Sequence, residues 1–197
     1  MALNDSFYVK QTVFENKLEL FNVLSKGAIF VYPTDTIYGL GCDATIKSAV
    51  ENVKTAKNRQ GMAFSVIAPS KQWILDHCEV SGSGFVWLEK LPGPYTLIFK
   101  LNQKGLEVIS PEVNKEFPGT LGVRIPNHWI SEFVCEYGNP IVTTSANISG
   151  QEVVSDPAKL VSDMLDKVGF VASDGILTGT PSTIINLTTD KEVIIKR

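Results

Sequence analysis

Apolar residues recur along this chain at two spacings, and the switching between them lays out its architecture. Over residues 12–26, Val13, Phe14, Leu18, Phe21 and Leu24 fall at helical spacing, and Gly27 stands where a left-handed residue closes a helix. Ala28-Ile29-Phe30-Val31 is a short, continuously apolar run that predicts a buried strand. Pro33 ends it, because proline cannot donate to a sheet ladder. Residues 45–57 return to helical spacing through Ile46, Ala49, Val50 and Val53, with Thr45 as the expected N-cap. Strands are predicted at 63–68, at 95–101 after the break Pro92-Gly93-Pro94, at 120–125 with Pro126 as its stop, and at 140–144. Helices are predicted at 127–137 and at 157–167, the second opening on Pro157. Short strands follow near 168–172, 183–187 and 192–196. Strand and helix alternate without an internal repeat or a low-complexity linker. That pattern predicts an α/β fold, one domain over residues 1–197, with a twisted mixed sheet flanked by helices.

Composition narrows the function classes. With 44% hydrophobic and 20% charged residues the chain can bury a substantial core, yet no stretch is apolar for long enough to span a bilayer. Residues 1–10 lack the apolar centre of a secretory signal. Cys42, Cys78 and Cys135 are odd in number and far apart, which argues against a disulfide framework or a zinc site and suits a reducing cytoplasm. His77 and His128 show no ligand-like spacing, so no protein metal site is predicted. A net charge of −3 excludes a strongly basic nucleic-acid binder by bulk charge and leaves a local basic cleft open.

The candidate chemistry lies at strand exits. Tyr32-Pro33-Thr34-Asp35-Thr36-Ile37-Tyr38-Gly39-Leu40-Gly41 follows a strand and reads as a hydroxyl-rich turn closed by two glycines. Open α/β sheets place ligands there, although Thr, Asp and Gly are also ordinary turn formers. Lys57-Asn58-Arg59 ends a helix, either as a charge-capped terminus or as a clamp for phosphate or carboxylate. Arg124 lies within an apolar strand, with Val123 and Ile125 turned the other way. It needs solvent, an ion-pair partner or a ligand cleft. Thr143-Thr144-Ser145-Ala146-Asn147-Ile148-Ser149-Gly150 and Pro181-Ser182-Thr183 again bring small hydrogen-bonding groups to strand ends. Cys42 is expected to be a small buried hydrophobe, and Trp73, Trp87 and Trp129 core or cleft residues. No nucleophile with a general base stands out.

Taken in order, these segments resemble the YrdC/Sua5 family, the threonylcarbamoyl-AMP synthases. The resemblance rests on residues 32–41, Lys57-Asn58-Arg59, Pro92-Gly93-Pro94-Tyr95-Thr96, Gly122-Val123-Arg124-Ile125-Pro126, residues 144–150 and Pro181-Ser182-Thr183-Ile184. It implies a YrdC-like sheet with a concave cationic cleft, in the short single-domain form. It also implies an enzyme that joins L-threonine, bicarbonate or CO2, and ATP into threonylcarbamoyl-adenylate, with release of pyrophosphate. By the same resemblance Lys57 and Arg59 hold the triphosphate and act in catalysis, with Arg124 supplying further charge. Thr120, Asn147, Ser155 and Arg197 contact ATP, while Thr36, Ser145 and Ser182 contact L-threonine. Mg2+ accompanies the ATP. The adenylate passes to transferase proteins that complete the t6A modification of tRNA, so tRNA or double-stranded RNA is a further partner class. The pattern departs from the family at Gln60, where proline is usual, over Met62-Ala63-Phe64-Ser65, and near Ala68, where a histidine sometimes stands. The competing readings are a non-catalytic RNA-binding module in the same cleft and a carbamoyl-transfer module of the hydrogenase-maturation type.

Overall fold

The computed structural model describes residues 7–58, 61, 63–148, 150, 152–160, 162–189 and 191–195. In chain order the elements are β1 (Phe7–Val9), α1 (Lys10–Glu15), α2 (Lys17–Ser25), β2 (Phe30–Tyr32), β3 (Gly39–Gly41), α3 (Lys47–Ala56) and β4 (Ser65–Ile67). Then come α4 (Lys71–His77), β5 (Cys78–Glu79), α5 (Ser83–Glu89), β6 (Tyr95–Leu101), α6 (Gln103–Val108), β7 (Thr120–Arg124), α7 (Ile130–Tyr137) and β8 (Ile141–Ser145). The chain closes through α8 (Ser162–Leu165), β9 (Phe170–Ser173), β10 (Thr183–Asn186) and β11 (Val193–Ile195). Ten of the strands run in the order β1-β9-β2-β3-β8-β4-β7-β6-β10-β11, and β5 pairs off the path with β6. Parallel pairs (β4 with β7, β6 with β10) and antiparallel pairs (β4 with β8, β6 with β7) alternate, so the sheet is mixed as expected. Among the described residues no helix is long and apolar enough to cross a membrane.

Strand alternation decides which face does chemistry. Ile185, Leu97, Val123, Val66 and Val142 stand side by side across five strands, all 0% exposed, and α3 packs over them through Ala49, Val50 and Val53. One residue along, the row facing the other way reads Asn186, Ile98, Gly122, Ser65 and Thr143. Apart from Ile98, it is polar or small where its neighbour is aliphatic. Further across the sheet the same face turns apolar again. There Phe30, Tyr32, Ile141 and Phe170 join a second core with Leu20 and Leu24 of α2 and Phe133 and Val134 of α7. The helices therefore cover half of this face and leave the half over β10, β6, β7, β4 and β8 as a concave floor.

Several boundaries differ from the expectation. The helix predicted over 12–26 breaks at Asn16, whose side-chain amide and backbone N–H both donate to Thr12 O, and continues as α2. Thr45 does not cap α3. Its hydroxyl and its N–H both donate to Asp43 Oδ1, and Ile46 takes the cap position without a side-chain bond. The 157–167 helix is a 3-10 turn at Pro157–Lys159, capped by Asp156, followed by the single-turn α8. Gly39-Leu40-Gly41, expected as a turn, is instead a strand clasped antiparallel between β2 and β8. Its glycines admit neighbours where side chains would stand. A Cβ on Gly39 would meet the Tyr32 ring at 2.8 Å, and one on Gly41 would lie 2.0 Å from the Val142 carbonyl. Because that second obstacle is backbone, Gly41→Ala must displace β3 or β8. The expected loss is about 3 kcal/mol, or roughly 10 °C in a thermal melt. An unchanged melting temperature would contradict this packing.

Candidate functional site

At the open half of the concave face lies a cavity of about 300 Å³. Its wall starts at Thr34, whose hydroxyl accepts from the N–H groups of Thr36 and Ile37 and donates to the Ile37 carbonyl at 2.7 Å. With that proton spent, the Thr36 hydroxyl is the donor in the 2.9 Å Thr34–Thr36 contact, which aims it across the cavity edge. Asp35 in the same turn binds Arg124 of β7. Nη2 of Arg124 donates to Asp35 Oδ1 at 2.6 Å and to the Thr36 hydroxyl at 3.3 Å, and Asn127 N donates to Asp35 Oδ2. The Arg124 side chain is 6% exposed, so this ion pair is buried and held at both ends. The far wall is a hydroxyl pair, Thr96 on β6 and Ser182 at the entry to β10, 2.8 Å apart.

Ser145 closes the floor at the end of β8. Its hydroxyl donates to Asn147 Oδ1 at 2.5 Å. Beneath the loop sits Lys57, the C-cap residue of α3, at 1% exposure. Its ammonium donates to the carbonyls of Ser145 (2.5 Å) and Asn147 (2.7 Å) and approaches Asn147 Oδ1 at 3.3 Å. A buried cation needs such oxygens, and here they come from the loop that carries two candidate site residues. The segment running from Asp174 to Ser182 crosses the rim. Tyr38 donates to Gly175 O at 2.6 Å, Leu177 N donates to Ser155 O, and a Cβ on Gly179 would lie 2.0 Å from Thr36 O. His128 meets Asp174 at 3.0 Å on the outer side of this segment. Burial pulls its pKa below the usual imidazole value, against the opposing pull of the carboxylate.

A second cavity of about 390 Å³ adjoins the first and shares Ala63, Ser65 and Thr96 with it. Its own lining is more apolar, with Ile98, Phe117 and Ile184 beside Thr120 and Asn186. Thr120 is fixed by Asn114, whose Nδ2 donates to the Thr120 carbonyl (2.8 Å) and hydroxyl (2.7 Å).

The structure thus gathers Thr36, Ser145 and Ser182 at one cavity. It brings Arg124 there too. Thr120 lines the second cavity, and Asn147 borders the first through Ser145. Ser155 is exposed and touches the rim segment through its carbonyl, lining neither cavity. Arg59 and Arg197 lie outside the described residues. Thr34, Asp35, Thr96 and Thr143 stand in the sequence motifs without a role of their own, and Ser65 stands there only as a departure from the family pattern. Ser65, Thr96 and Thr143 carry a detectable signal, a hydroxyl at the period-two position of an otherwise apolar strand. Neither buried thiol is activated as a nucleophile: burial raises Cys42 well above the ordinary range and pushes Cys78 up to about 12.

The family model described as "Telomere recombination", Sua5/YciO/YrdC, matches residues 22–197. The chain belongs to the Sua5/YciO/YrdC family. It is 27% identical over 200 residues to the uncharacterized protein YciO of Escherichia coli K12, covering 98% of this chain and 95% of YciO. The crystal structure of E. coli YciO superposes with a TM-score of 0.85. A threonylcarbamoyl-AMP synthase of Vibrio vulnificus is 28% identical over 160 residues, 78% of this chain and 81% of that protein. The P. abyssi Sua5 complexed with L-threonine matches with a TM-score of 0.84 at 25% identity, over 96% of this chain. The present chain spans 56% of that longer protein. Relatives of this fold thus include a named threonylcarbamoyl-AMP synthase and a protein complexed with L-threonine.

Proposed function

We propose that the protein is an L-threonylcarbamoyladenylate synthase, acting in the cytoplasm on L-threonine, CO2 or bicarbonate, and MgATP. The observation that carries this reading is the pair of adjoining cavities, one lined by hydroxyls and a buried arginine, the other more apolar and reached across Ser65 and Thr96. An amino acid fits the first. Its carboxylate meets the Arg124 guanidinium, whose planar fork of five donors can serve Asp35 and a ligand together. Its hydroxyl and amine meet Thr36, Ser145 and Ser182. The nucleoside of ATP takes the second cavity beside Thr120. Asn147 lies at the border, and Ser155, Arg59 and Arg197 are assigned to the nucleotide by family resemblance alone.

The neutral amine of threonine adds to CO2, and the proton it loses goes to solvent. A carbamate oxygen then forms a bond to the α-phosphorus as the α–β bridging P–O bond breaks. The electron pair leaves with pyrophosphate. Such a transfer needs positioning and charge stabilisation rather than a protein nucleophile. Mg2+ arrives with the triphosphate, held largely by phosphate oxygens and water. The adenylate is the activated donor for a transferase that modifies an adenosine of tRNA to t6A.

Purified protein given ATP, Mg2+, threonine and bicarbonate is expected to release pyrophosphate only when all are present. Mass spectrometry should detect the threonylcarbamoyl-adenylate. Release that is indifferent to threonine, or no release with no calorimetric binding of either substrate, would overturn the assignment.

A further inference from the structure

Ser65 is the hydroxyl at the joint of the two cavities. It stands on β4 between Gly122 of β7 and Thr143 of β8, on the polar row of the sheet. Gly122 supplies no side chain, and a Cβ there would lie 2.7 Å from Ser65 Oγ, so the serine hydroxyl sits over the space that the glycine leaves. Three hydroxyl pairs around the first cavity are committed: Thr34 with Thr36, Thr96 with Ser182, and Ser145 with the Asn147 amide oxygen. The Ser65 hydroxyl makes no hydrogen bond to any described residue, and it is neither sealed from solvent nor orphaned in the core. Both its donor and its acceptor capacity remain for a ligand. Of the three residues common to both cavities, Ala63 has no polar side-chain atom and Thr96 is paired, which leaves Ser65.

Resting on the reading above, we infer that Ser65 is a catalytic residue of adenylate formation. Its hydroxyl donates to the oxygens that gather charge as the carbamate oxygen bonds to the α-phosphorus and pyrophosphate departs with the electron pair. The joint between an amino-acid cavity and a nucleoside cavity is where those atoms must meet. A preformed donor is worth most there, because it gains strength only as the charge develops. A group that acts in the transition state lowers kcat when removed and leaves ground-state binding nearly intact.

The test is a double-mutant cycle with Ser65→Ala, Gly122→Ala and both together, measured by steady-state pyrophosphate release and by thermal unfolding. Ser65→Ala is expected to lower kcat by about 10- to 100-fold, with the KM values for threonine and ATP within about threefold and an unchanged melting temperature. Gly122→Ala pushes the hydroxyl off its position and should reproduce the loss. With the hydroxyl absent the 2.7 Å clash is gone and only the 3.2–3.3 Å contacts with the Cβ of residue 65 and Thr96 Cγ2 remain, so the double variant should lose clearly less than the sum of the two single losses. Wild-type activity with a Ser65→Ala variant of equal kcat overturns this inference alone. Additive losses in the cycle, or a Ser65→Ala loss confined to KM, also overturn it. A wild-type protein that forms no adenylate overturns the proposed function and this role with it.

Discussion

Arg124→Lys is expected to raise the threonine KM by about 100-fold while leaving the ATP KM within a factor of a few. The arginine performs two tasks with one planar group. It binds Asp35 at 2.6 Å and faces Thr36 at 3.3 Å, inside the cavity that also holds Ser145 and Ser182. Lysine keeps the charge and can hold Asp35, so the buried carboxylate is not abandoned and the fold should survive. It cannot present parallel N–H groups to a second carboxylate at the same time. Arg124→Leu is a poorer probe, because breaking a buried ion pair costs about 3–5 kcal/mol and would mix unfolding with lost binding. The measurement is initial rate against threonine at saturating ATP, and against ATP at saturating threonine. If the loss falls on the ATP axis instead, Arg124 belongs to the triphosphate, as first grouped from the sequence.

The placement of Arg124 shows what a linear pattern can carry. Strand cores such as Ile141-Val142 and Tyr95–Leu101 are legible because each is a run of β-branched and aromatic residues closed by a break. The alternation around Ser65, Gly122 and Thr143 is legible too, once the three strands are known to be neighbours. Which face Arg124 shares with Asp35 is not, since the partners lie 89 positions apart and meet only through the sheet order. Gly39-Leu40-Gly41 has turn composition, yet tertiary contact makes it a strand: the Tyr32 ring and the Val142 carbonyl occupy the places of its missing side chains. Helices α4, α5 and α6 span six or seven residues, too short for a 3.6-residue period to repeat convincingly. The strand β1 is held by parallel pairing with β9, across most of the chain.

Lys57 carries the prediction of largest effect. The ammonium lies in the protein rather than at its surface, and its donors run to the carbonyls of Ser145 and Asn147. Lys57→Met keeps the length and the apolar stem but deletes the charge: the Ser145 carbonyl keeps the Asn147 N–H as its donor, while the partly buried Asn147 carbonyl loses the ammonium, at a cost of about 1–3 kcal/mol. The loop loses the cation that ties Ser145 to Asn147 and shifts, taking both side chains with it. Misplacing one positioning group by about 1 Å can cost a factor of roughly 100, and two groups move here, so adenylate formation should fall by about a thousandfold or more. The placement also separates two roles for this lysine. If it grips phosphate directly, Lys57→Met should bind threonine normally when no nucleotide is present. If it pins the loop, threonine binding measured by calorimetry without ATP should already be lost, because the Ser145 hydroxyl is oriented by a partner that the lysine holds. The buried geometry favours the second outcome, and intact threonine affinity in a folded Lys57→Met protein would return the lysine to the triphosphate.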